Sequence, residues 1–155
     1  MIDGLLRLPL RRFEDERGWL MELRRESLLP KVTRQTNVSR SRRGVIRGLH
    51  YHERGQDDLF VCLEGMVRVV VLDRASGETY TEDIGDDNPV ALYVPGRHAH
   101  GYEALTDCLF CYLVTAEYDS ADPDEHAVAW NDPRVAHLWS IRSPLLSKRD
   151  ENAAS

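Results

Sequence analysis

Three cysteines in 155 residues (Cys62, Cys108 and Cys111) are too few for the disulfide framework of a small secreted protein. Two of them stand in "CLFC", the C-x-x-C spacing of zinc and redox sites, but inside an apolar run that reads as a strand. Residues three apart on a strand point to opposite faces, so these thiols diverge and are expected in the core. No apolar run approaches the roughly 18–20 residues that span a bilayer. The opening "MIDGLLRLPLRRFEDERG" lacks a signal peptide's basic start, apolar block and cleavage site, so the expected location is cytoplasmic. Excess positive charge is missing too. The net charge of −6 argues against broad attraction to nucleic acid. Two basic clusters, Arg7–Arg11–Arg12–Arg17 and Arg40–Arg42–Arg43–Arg47, could serve one phosphorylated small molecule, although most such arginines form a solvated face.

Helical periodicity is as scarce. Only "RRESLLPK" and the segment after Pro133 are candidates for short helices. β-prone runs recur instead, from "LLRLPL" and "GWLMEL" through "VIRGLHYH", "LFVCLEG", "MVRVVVLD" and "PVALYVP" to "CLFCYLVTAEY". Turn clusters such as "RASGE", "GDDNP" and "PGRH" separate them. About ten strands at this spacing predict an all-β fold of the jelly-roll, sandwich or barrel type. In "MVRVVVLD", Val67, Val69 and Val71 share one face while Arg68 and Val70 lie on the other. Residues 1–155 read as a single domain with a polar tail over 143–155, and "SKRDENAAS" is expected to fray unless something holds it.

Histidine carries the candidate chemistry. In "GVIRGLHYHERGQDDLFVCLEG", residues 44–65, His50 and His52 are two apart and so share a strand face, with Tyr51 opposite. An inward Asp58 on the next strand could approach them. "VPGRHAHGY" gives His98 and His100 the same relation. One histidine is ordinarily structural. Two alternating pairs bounded by Gly and Pro point to a cavity. The stretch alone fits a metal site, a metal-free acid–base site, or a barrel strand that carries histidines by chance.

The spacing of Gly44, His50, His52, Asp58, Gly65, Pro95 and His100 resembles the two-part signature of the cupin superfamily. In metal-dependent cupins the positions equivalent to His50, His52, Asp58 and His100 are ligands, a set suited to Fe, Mn, Ni or Zn. A narrower resemblance runs from residue 13 to residue 150. "FEDERGWLMEL", "QTNVSRSRRGVIRGLHYH", "LYVPGRHAHGY", "YLVTAEY", "WNDP" and "LLSKRD" follow in the order of the dTDP-4-dehydrorhamnose 3,5-epimerase family. That resemblance implies a cupin-type jelly roll and a sugar-nucleotide epimerase that needs no metal or cofactor. It further implies a homodimer in which Phe13 to Glu22 reach the partner's site.

The implied reaction explains the residue types. In a 4-keto sugar the C3 and C5 hydrogens are acidic, so inversion needs a base on one face, an acid on the other, and a holder for charge developing on O4. By resemblance His50 is the base, Asp150 its carboxylate partner and Tyr112 the opposite acid. Arg17, Glu22, Gln35, Asn37 and Arg47 match positions that contact the nucleotide and its pyrophosphate. His100 and Glu125 match further binding positions, and Tyr118 an aromatic beside the base. Two positions depart: the family usually has Gln at His52 and Lys at Asp58. Both changes complete the metal-cupin ligand set, so a metal-dependent enzyme using His50, His52, Asp58 and His100 is the second reading. A non-catalytic sugar-nucleotide-binding relative is the third.

Overall fold

Val67, Val69 and Val71 lie together on the inner face of strand β7 (Met66–Leu72) and are fully buried, as their alternation predicts. They sit between two five-stranded antiparallel sheets in a computed structural model that describes residues 1–155. One sheet has the order β1 (Leu6–Pro9), β9 (Val90–Pro95), β6 (Asp57–Glu64), β11 (Cys108–Val114), β4 (Gln35–Ser41). The other runs β12 (His126–Ala127), β5 (Ile46–Tyr51), β10 (Ala99–Ala104), β7, β8 (Thr79–Gly85). From β4 to β11 the chain winds between the sheets as the paired Greek keys of a jelly roll. The predicted all-β jelly roll is the observed fold.

Each sheet is also covered on its outer face. Val70 turns away from Val69 and packs with Ile46, Leu49, Leu72, Val135 and Trp139. On the first sheet Leu59, Val61, Ala91 and Tyr93 pack under the N-terminal Leu6, Leu8 and Leu10. Burial on both faces explains why "VALYVP" shows no polar alternation: all six residues of β9 are buried. Cys108 joins the inner core and Cys111 the outer cluster, so the two thiols diverge and all three cysteines are free.

The departures from expectation are local. Twelve strands form instead of about ten, because β2 (Arg12–Asp15) pairs with β3 (Gly18–Met21) in a separate hairpin and β12 adds two residues. β2 is charged and β12 minimal, so neither carries an apolar pattern. The two helical candidates form single 3-10 turns, Glu26–Leu28 and Ala136–Leu138. The expectation of a fraying tail is corrected: Lys148–Ala154 form helix α1, capped by Ser147, whose hydroxyl accepts from the Asp150 N–H at 3.2 Å. Just before it, Leu145 is tied to Gly44 and Ile46 by backbone hydrogen bonds of 3.0 and 3.1 Å.

One irregularity shapes the cavity side of the second sheet. The β5–β10 register shifts between His100 and Tyr102, where Gly48 lies against Gly101 with φ of +134°. A Cβ on Gly101 would stand 2.4 Å from the Arg47 carbonyl oxygen, and one on Gly48 2.8 Å from the Gly101 Cα. Only glycine fits at either position. Gly101→Ala is therefore expected to cost about 1–3 kcal/mol of folding free energy, the typical range for overpacked sites. Urea unfolding followed by tryptophan fluorescence measures it, and a loss under about 0.5 kcal/mol would show that the strands can separate without strain.

Candidate active site

The register shift at Gly48 changes strand parity. Val45 and Arg47 before it, and His50 and His52 after it, all line one cavity of about 410 Å³ between the sheets. That volume falls within the range of small-molecule sites. Tyr51 points away, stacked on His126 with centroids 5.1 Å apart. From the opposite sheet come Asp58 and Phe60 on β6 and Tyr112 on β11, on one face because Tyr112 is directly opposite Phe60. Helix α1 closes the side with Arg149 and Asp150.

His50 Nε2 lies 2.7 Å from Asp150 Oδ1. The hydrogen bond places a proton on Nε2, pointing at the carboxylate, and leaves Nδ1 as the basic nitrogen. The Gly48 N–H donates to Asp150 Oδ2 at 3.2 Å, so both carboxylate oxygens are engaged. Only 2% of Asp150 is exposed. Burial pushes its acidity down, but the His50 hydrogen bond and charge, the Gly48 N–H and the Arg149 cation outweigh it and hold the carboxyl below its ordinary range. Arg149 lies beside the pair, its Nη2 3.1 Å from His50 Nε2 as a close approach of two donors and its Nη1 donating to the Glu125 carboxylate.

A second histidine–carboxylate group occupies the deeper wall. His100 Nε2 is 3.1 Å from Asp58 Oδ2, and His52 Nε2 is 3.8 Å from Asp58 Oδ1. The Gln56 amide reaches His52 Nε2 at 3.2 Å and Asp58 Oδ1 at 3.0 Å. Each ring is fixed from behind: His52 Nδ1–H donates to the Asp124 carbonyl at 2.6 Å, and His100 Nδ1–H to that of His98 at 2.8 Å. Burial would lower the His100 pKa, but the Asp58 charge and hydrogen bond prevail and raise it. Burial, together with the His100 charge, lowers that of His52. Burial also raises the Tyr112 phenol above its ordinary value, helped by Asp58 and Glu125, so it stays protonated at neutral pH.

Of the residues singled out in the sequence, Arg47, His50, His100, Tyr112, Glu125 and Asp150 line this cavity, with His52 and Asp58. The four-ligand metal set is not assembled: His52, Asp58 and His100 converge, while His50 is held by Asp150. His98 does not share the cavity face of His100; its Nε2 lies 2.8 Å from the Asp3 carbonyl oxygen. Arg17 pairs with Asp15 on the hairpin turn, with 84% of its side chain exposed, and Glu22 pairs with Arg25 at 2.9 Å. Neither reaches the cavity of its own chain. Gln35 and Asn37 on β4 lie outside its lining, on the same sheet face as Tyr112 of the neighbouring β11, and are bonded to each other at 3.0 Å. The Tyr118 N–H donates to Gln35 Oε1 at 2.8 Å. Gln56 and Arg149 were missed, though both carried a signal. Gln56 has the parity of Asp58 and Phe60, and Arg149 adjoins Asp150 in "LLSKRD".

Comparison with known proteins bears on the family and the fold. The family model described as dTDP-4-dehydrorhamnose 3,5-epimerase matches residues 1–155. The spore coat polysaccharide biosynthesis protein SpsL of Bacillus subtilis is 38% identical over 149 residues, covering 90% of this chain and 97% of its own. NovW, a 4-keto-6-deoxy sugar epimerase from the novobiocin gene cluster of Streptomyces spheroides, superposes with a TM-score of 0.88 at 31% identity, covering 98% of this chain and 82% of its own. ChmJ of Streptomyces bikiniensis, a 3'-monoepimerase solved with dTDP-quinovose, gives a TM-score of 0.86 at 31% identity, over 97% and 82% of the two chains. The chain belongs to the dTDP-4-dehydrorhamnose 3,5-epimerase family of isomerases.

Proposed function

We propose that the protein inverts C3, C5 or both in a dTDP-linked 4-keto-6-deoxyhexose, with residues 1–155 acting as one catalytic domain. The observation that carries this reading is the His50–Asp150 pair on one wall of a cavity whose other wall presents Tyr112. His50 Nδ1 takes the proton from the carbon next to the C4 ketone. The C–H electrons form the enolate, and negative charge moves to O4. Asp150 holds the ring and stabilises the imidazolium, which needs a buried carboxylate that stays ionised. Tyr112 delivers its phenolic proton to the opposite face of the carbon, and solvent restores both groups.

The enolate oxygen needs positive charge, and the family's usual lysine is absent at Asp58. Arg47 and Arg149 are the cationic side chains on the cavity wall, and His100, whose basicity the Asp58 carboxylate raises, stands with them. Arg47 also suits the diphosphate, since its planar fork grips two oxygens at once. Gln35, Asn37 and Tyr118 form the rim beside Tyr112 where the nucleoside is received. Arg17 and Glu22 serve the cavity of a second copy in a homodimer, with Phe13 and Trp19 as the half-exposed aromatic contacts of the exchanged hairpin. The pairing of Arg17 within its own hairpin supports this, because it leaves the side chain outside its own cavity.

Incubation with dTDP-4-keto-6-deoxyglucose in deuterated water is expected to place deuterium at C3, C5 or both, read by NMR. His50→Gln should slow uptake about 10³-fold. Tyr112→Phe should suppress inversion while exchange through the enolate persists. Absence of uptake at both carbons, where a known family member exchanges, sinks the proposal.

A second expectation concerns pH. Because Asp150 is held below its ordinary value, its stabilising contribution is complete above the usual Asp range, about pH 4, and is lost as pH falls through the depressed folded value. Urea unfolding of the wild type and Asp150→Asn should show a constant difference from about pH 5 to 7 that shrinks in stronger acid. A difference that grows on acidification would contradict the assigned direction.

A further inference from the structure

We propose that His52, Asp58 and His100 form a binding site for one divalent first-row transition ion, opening on the cavity that holds His50 and Tyr112. Three potential ligand atoms, one from each residue, lie within 4.8 Å of one another, and all three residues are buried. Donors bound to a single ion at about 2.0–2.2 Å stand roughly 3–4 Å apart. His100 Nε2 stands 3.1 Å from Asp58 Oδ2 and His52 Nε2 3.8 Å from Asp58 Oδ1, so a carboxylate that meets the ion with both oxygens brings each imidazole to that spacing. A small rotation of either imidazole closes the set.

The surroundings are those of a ligand set and not of three side chains that merely touch. Both imidazoles are held through Nδ1 by backbone carbonyls, which fixes Nε2 of each towards the carboxylate. Gln56 is the remaining polar partner, and its amide now fills the gap between His52 and Asp58 with N–H groups. Turning that amide over presents Oε1 in their place, a neutral oxygen ligand from the same position. His50 takes no part, since Nε2 is committed to Asp150, so the positions facing the cavity stay open. Two imidazoles and one carboxylate select Mn, Fe, Co, Ni or Zn over the all-oxygen preferences of Ca and Mg.

The site can be tested without substrate, so its failure leaves the epimerase proposal standing, and the reverse holds. Protein made without a polyhistidine tag is stripped with EDTA and titrated with Zn²⁺, Co²⁺ or Mn²⁺ by calorimetry. One ion per chain, with a Kd on the order of 10 μM or tighter, is expected. Asp58→Asn and His52→Ala should weaken binding about 100-fold and Gln56→Ala about 10-fold, with folding checked by circular dichroism. X-ray absorption of the Zn²⁺-loaded wild type, which needs no variant, should show two imidazole nitrogens in the first shell. No binding below about 0.1 mM, binding unchanged in Asp58→Asn, or a first shell with fewer than two imidazoles would each overturn the proposal.

Discussion

The contact between Gly48 and Gly101 governs the rest of the site. A regular β5 would send Arg47 and His50 to opposite faces, because they are three residues apart. The register shift at these glycines turns His50 back to the face that Arg47 already occupies. It also aims the Gly48 N–H at Asp150 instead of a neighbouring strand. A side chain at either glycine drives a carbon into backbone, so the two strands specify each other's glycine. Arg47, proposed to grip the diphosphate, and His50, the proposed base, are thus brought to one face by a single backbone irregularity.

Two histidine–carboxylate pairs share this cavity with different consequences. In the outer pair, Asp150 engages one nitrogen of His50 and leaves the other for chemistry. In the inner pair, Asp58 faces His100 and His52 together, with each ring's second nitrogen used by a backbone carbonyl. The outer pair therefore leaves one ring nitrogen of His50 for the base role proposed above. In the inner group every imidazole nitrogen already has a protein partner, Asp58 or Gln56 on one side and a backbone carbonyl on the other. The neighbouring Asp57 shows how finely "QDDL" divides its labour. It accepts from the Tyr93 hydroxyl at 2.6 Å and the Gly96 N–H at 2.9 Å, fixing the strand end that presents Asp58.

Period-two alternation made much of the fold legible, as with Val67, Val69 and Val71 inside and Val70 outside. It also separated Cys108 from Cys111. The same rule missed wherever the backbone left the regular strand. His98 lies in the turn before β10, so sharing parity with His100 did not give it the same direction. The tail read as solvated because its composition is polar; the Ser147 cap is a local bond within "SKRD", but the burial of Asp150 is a tertiary fact that no local pattern records. Arg17 and Glu22 lie beyond single-chain reading for another reason: their expected targets belong to a second copy.

The order of helix α1 follows from the chemistry of Asp150. Seven residues at a chain terminus gain little from helix formation alone, since nucleation outweighs so few hydrogen bonds. A buried carboxylate that accepts from both an imidazole and a backbone N–H supplies charge-assisted bonds worth about 1.5–3 kcal/mol each, enough to hold such a segment. Ser147 then fixes the entry of the chain, and the Arg149–Glu125 pair ties the first turn across to the strand that begins at His126. The helix is therefore ordered by the group it delivers to the cavity. Loss of the Asp150 carboxylate removes both the partner of the proposed base and the anchor of the wall beside it.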